Sequence, residues 1–94
     1  MHPLLSKSAE DVVALITKSE KHRKYVWTAG RIIKRLGVET QVCSLPVAER
    51  SAILRHFRRL LRELDASGIV RKRREIQSIG FGDESGYDYV NAQT

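Results

Sequence analysis

Apolar residues recur with a helical period in three stretches of this chain and lose that period in its last third. Val12, Leu15 and Ile16 stand with Ser19 at i, i+3, i+4 and i+7, a spacing that puts the three apolar side chains on one buried stripe. Ser8 ahead of Glu10 and Asp11 reads as the N-cap, with acids in the first turn favoured by the helix dipole. This first helix is expected to run to about Glu20, before the basic connector Lys21-His22-Arg23-Lys24. Ala29, Ile32, Ile33 and Leu36 repeat the spacing behind Thr28, a cap, and Gly37 supplies a left-handed stop. Trp27, just before that cap, reads as a core or lid residue. Val38 to Leu45 keeps no helical period and reads as a loop or a short strand.

Pro46 fits the first turn of a third and longer helix, which ends near Ser67-Gly68. At about 100° per residue, Ile53, Leu54, Phe57, Leu60, Leu61 and Leu64 fall within roughly a third of its circumference. Arg55, Arg58, Arg59 and Arg62 gather on the other side with Ala48 and Ser51. Beyond Gly68 the run Ile69 to Gln77 has no helical stripe, Gly80, Gly82 and Gly86 punctuate the next stretch, and Tyr87-Asp88-Tyr89-Val90 has strong β preference. Two strands around a glycine-rich loop predict a hairpin, with Tyr87 and Tyr89 sharing one face. The expected fold is α+β, three helices followed by a two-stranded hairpin, in a single domain over residues 1–94. Its core covers about 8–90, and residues 1–7 and 91–94 are expected to fray.

Charge changes this picture more than length does. The net charge is +6, and between Arg50 and Arg74 nine basic residues face two acids, Glu63 and Asp65. A surplus gathered in one quarter of a chain implies a polyanion-facing surface, with nucleic acid the first candidate and an anionic membrane the second. The membrane is disfavoured because the arginine face lies opposite a stripe needed for the core, which leaves no apolar face to insert.

Other chemistries find little support. No apolar run approaches the roughly 20 residues that span a bilayer, and Met1 to Ser8 lacks the basic flank and apolar stretch of a secretory signal. The expected location is cytoplasmic, associated with the nucleoid, or nuclear. Cys43 with His2, His22 and His56 has no metal-ligand spacing. Cys43 reads as a small buried or half-exposed loop residue, and His56 as a surface residue. No carboxylate pair, activated nucleophile or phosphate-binding glycine loop stands out, so neither an enzyme nor a cofactor is expected.

Two segments resemble winged helix-turn-helix domains. Trp27-Thr28-Ala29-Gly30-Arg31-Ile32-Ile33-Lys34-Arg35-Leu36-Gly37-Val38 looks like their second helix, and Leu60 to Arg71 is similar to their join between recognition helix and wing. The resemblance implies that the third helix enters the major groove of double-stranded DNA. It implies Ser51, Arg55 and Arg59 as base readers, with Arg58 and Arg62 nearer the backbone, and Arg71, Lys72, Arg73 and Arg74 as wing contacts. The stretch from Gly37 to Pro46 is longer than the usual turn of the motif.

Bland readings stand beside these expectations. The helix arginines also suit a solvated face with weak ion pairs, and the wing tetrad suits an edge strand protected by charge. The acidic tip of the loop Gly80 to Gly86 fits poorly beside phosphates. The leading function is a small sequence-specific transcriptional regulator; the alternative is a winged-helix interaction or architectural subunit in a replication, partition or repair assembly, with a protein partner. A homodimer is expected through residues near Leu4, Leu5, Val13 and the 81–90 hairpin, since one recognition helix reads too few base pairs to find a site.

Overall fold

A computed structural model describes residues 2–19, 25–78 and 83–90, with the side chains of 73–78 and 83–85 left outside that description. The described residues form four α-helices and a small three-stranded antiparallel sheet, one helix and one strand more than the periodicity predicts.

α1 spans Ala9–Lys18 and starts as the sequence predicts. The Ser8 backbone N–H donates to Asp11 Oδ2 at 2.8 Å and the Asp11 N–H donates to Ser8 Oγ at 3.3 Å, which satisfies two orphan donors reciprocally. These bonds from Ser8, first the backbone one and then that of its hydroxyl, hold the Asp11 carboxyl below its ordinary pKa, with help from Lys7. A depressed carboxylate stabilises the fold above its unfolded pKa, and the contribution is lost as pH falls through the lower, folded value. The cap is therefore expected to stay intact down through the ordinary carboxylate range and to fail only below it. Carboxyl-carbon NMR titration checks this: a midpoint for Asp11 at or above the ordinary aspartate value contradicts it.

α2 is Ala29–Arg35, capped by the Thr28 hydroxyl, which accepts from the Arg31 N–H at 3.1 Å. Gly37 at φ 77° stops it, with Gly37 N–H on Lys34 O and Val38 N–H reaching back to Ile33 O. The next stretch corrects the expectation of a loop or short strand: Glu39–Cys43 is a one-turn helix, α3, that buries Val42 and leaves Cys43 exposed. Five residues with one inward side chain are too few to show a period.

α4 runs Val47–Ala66, with Pro46 as the cap residue just ahead of its first turn. Ile53, Leu54, Phe57, Leu60, Leu61 and Leu64 are all buried, so the predicted stripe is the face that meets the core. Gly68 at φ 79° ends the helix, donating to Asp65 O while Ile69 N–H returns to Leu64 O. This closure satisfies the last carbonyls and turns the chain directly into the sheet.

The sheet has the order β1-β3-β2, with β1 Val26–Trp27, β2 Val70–Ser78 and β3 Asp83–Tyr89. Trp27 pairs with Tyr87 and Tyr87 with Lys72, so these three form one row; Val26, Asp88 and Arg71 form the next. Trp27, Tyr87 and Tyr89 are buried, which makes both tyrosines core residues. β3 takes up Asp83 to Ser85, which the glycine pattern assigns to a loop, and residues 79–82 between the strands lie outside the described residues. The register shifts between Lys72 and Ile76.

Residues 3–6, expected to fray, form a 3-10 turn started by Pro3, and Leu4 joins the core at 7% exposure. Leu4 thus faces inward and is not free for the dimer contact expected of it; Leu5 and Val13 pack against the core, partly buried. The expected frayed end 91–94 lies outside the described residues.

Candidate nucleic-acid interface

The face of α4 turned away from the core carries the residues singled out by charge. Arg55, Arg59 and Arg62 are exposed, whereas Arg58 and Ser51 are half-buried at the margin of that face. The helical rise of about 1.5 Å per residue makes the three exposed arginines a ridge roughly 10 Å long. Spacings of three and four residues put their charges side by side on one surface.

Arg59 is oriented by an internal chain of bonds. Its guanidinium donates to His56 Nδ1 at 3.0 Å, and His56 Nε2 meets the Lys7 carbonyl at 2.8 Å. A guanidinium only donates, so Nδ1 accepts and the imidazole proton sits on Nε2, donated to Lys7 O. His56 also stands edge-on to Phe57 at 5.6 Å. Sequence reasoning leaves His56 as a surface residue; the fold makes it the clasp between the N-terminal segment and α4.

The sheet resolves the alternation of the wing cations. Lys72 shares the row of Trp27 and Tyr87, on the side of the sheet that meets the helices, and its N–H donates to Asp65 Oδ1 at 3.4 Å. Arg71, exposed, belongs to the row of Val26 and Asp88 on the opposite side. The arrangement brings Lys72 toward the C-terminal end of the ridge and sets Arg71 apart from it. The side chains of Arg73 and Arg74 lie outside the described residues, and the register shift stops the alternation being carried on to them. Beside Lys72, burial and then Asp65 push the Tyr87 hydroxyl above the ordinary phenol pKa, with Arg62 pulling it down.

Charge in one segment escaped the sequence reading. Residues 21–38 contain Lys21, Arg23, Lys24, Arg31, Lys34 and Arg35 and no acid. The signal was available as an acid-free run, but the surplus at 50–74 is stronger and masks it. Arg31 and Arg35 meet at the ring of Tyr25, each guanidinium carbon 4.9 Å from the ring centroid.

An apolar groove of about 180 Å³ lies between α1 and α2, with Phe57 among its lining residues. No helix of the described residues is long and apolar enough to cross a membrane. Comparison with known proteins returns nothing: no family model, no curated protein and no solved structure matches this chain.

Proposed function

We propose that this chain is a winged-helix protein that binds double-stranded DNA, with α4 in the major groove and the start of β2 beside the phosphate backbone. The observation that carries the reading is the exposed ridge of Arg55, Arg59 and Arg62 on the face of α4 opposite its buried stripe. The element order and the β1-β3-β2 sheet suit a winged helix in which α3 occupies the long turn. B-DNA's major groove, about 12 Å wide, admits one helix. The guanidinium fork binds a phosphate or the O6/N7 edge of guanine through two parallel bonds, which ammonium groups cannot do.

Roles follow from position. Arg55, nearest the start of the helix among the three, is the base reader, with Ser51 one turn before it. Arg59, held by His56, presents its remaining donors in a set direction, and Arg62 with Lys72 meets the backbone. A second copy on a palindromic site supplies the base pairs that one helix cannot read, and the resulting function is transcriptional regulation by site occupancy.

Fluorescence anisotropy with duplex DNA across a salt series tests this reading. Neutralising about five phosphates gives a log K against log salt slope of roughly −4 to −5. Affinity that ignores salt, or no duplex binding at all, overturns it and favours a module that binds protein.

A further inference from the structure

The acid-free segment holds a second basic cluster, built around an aromatic ring. Tyr25 stands edge-on to the buried Trp27, ring centroids 5.9 Å apart at 88°. Arg31 and Arg35, one turn apart on α2, bring their guanidinium carbons to 4.9 Å from that ring. Arg31 Nε also donates to the Val26 carbonyl at 2.9 Å, which fixes the plane of its guanidinium and leaves its two terminal nitrogens unused by that bond. Arg35 and Lys34 are exposed beside it.

Two cations four residues apart on a helix repel each other, and the negative face of a tyrosine ring compensates that only in part. A phosphate group accepts from both forks at once and removes the repulsion. The ring and the Val26 carbonyl hold the forks in place before a ligand arrives, so little side-chain freedom is lost on binding.

We propose that Tyr25, Arg31 and Arg35 form a second phosphate site that takes a phosphodiester group of bound nucleic acid, apart from the stretch held by α4. The proposal rests on the DNA-binding reading of α4. β1 and β2 are the two outer strands of the sheet, so this site, at the start of β1, and Lys72, on β2, reach the backbone from opposite edges. Lys34 adds charge beside the site. Arg31 and Arg35 supply the donors, and Tyr25 is a positioning residue.

Two measurements test it. In the first, inorganic phosphate is titrated into the protein while the arginine Nε–H resonances are followed. A saturable shift at Arg31 is expected in the wild type and in Arg55→Gln/Arg59→Gln/Arg62→Gln, and none in Arg35→Gln. In the second, duplex affinity is measured against salt. Arg31→Gln/Arg35→Gln is expected to bind about tenfold more weakly, with a slope shallower by about one. Tyr25→Leu, which removes no charge, is expected to lose nearly as much, and Tyr25→Phe to bind as the wild type. The near-ultraviolet signal of Trp27 reports whether each variant keeps its fold, and the phosphate titration stands without Tyr25→Leu if that variant does not.

An Arg31 resonance that phosphate leaves unmoved overturns the site. So does Arg31→Gln/Arg35→Gln binding duplex like the wild type while the α4 variant loses it, which leaves the α4 reading intact. Wild-type protein that binds no duplex overturns both.

Discussion

Converting Arg55, Arg59 and Arg62 to glutamine together is expected to weaken duplex binding by about two to three orders of magnitude. Each arginine contact to base or phosphate is worth roughly 1 to 3 kcal/mol, and neighbours on one helix face do not add fully. A total of about 3 to 4 kcal/mol corresponds to that loss, tenfold for each 1.4 kcal/mol. The salt slope should become shallower by about three, one unit per neutralised phosphate. Stability should barely move, since all three side chains are exposed and surface changes usually stay within about 0.5 kcal/mol. Anisotropy at several salt concentrations, with a thermal melt on the same sample, reads both quantities. A loss below tenfold with an unchanged slope contradicts the placement of α4 against DNA.

Trp27→Ala should be the most damaging single truncation in the fold. Trp27 is fully buried, the largest such side chain, in a strand only two residues long. Removing a buried aromatic costs about 3 to 5 kcal/mol through lost transfer energy and the cavity left behind, out of the roughly 5 to 15 kcal/mol that holds a domain together. For a domain of this size each 1 kcal/mol moves Tm by about 4 to 8 °C, so a fall of at least about 15 °C is expected by circular dichroism. A fall under about 5 °C contradicts the packing described. The variant should also lose the Tyr25 site, because the edge contact that steadies Tyr25 disappears with the indole.

Where the chain repeats itself, its fold is legible residue by residue. The six inward residues of α4, the caps Ser8 and Thr28, and the left-handed stops at Gly37 and Gly68 all follow from local spacing and backbone chemistry. α3 escapes because one turn of Glu39-Thr40-Gln41-Val42-Cys43 with a single buried residue has no period to detect. β1 escapes because its two residues owe their strand geometry to partners in β3, far along the chain. The N-terminal turn escapes because Leu4 is drawn inward by a core that forms from later helices. Among site residues, Arg55, Arg59 and Arg62 could be placed from helix phase alone. The clasp at His56 and the ring contacts at Tyr25 depend on segments brought together by tertiary folding, which no local pattern encodes.

The register shift in the hairpin divides it into two halves with separate phase. The inner rows, Val70 with Tyr89 through Lys72 with Tyr87, are tied to the core; the outer rows begin at Ile76 with Ser85 and end at Ser78 with Asp83. In an unbroken ladder one added residue turns every later side chain to the other face. Here an addition between Lys72 and Ile76 is taken up where the pairing is already irregular, and Tyr87 and Tyr89 keep their inward positions. The same addition between Val70 and Lys72 inverts the inner rows and expels an aromatic from the core. The distal ribbon is therefore an exchangeable cassette: its length and charge can diverge between lineages, or be replaced by design, while the body of the protein stays as it is.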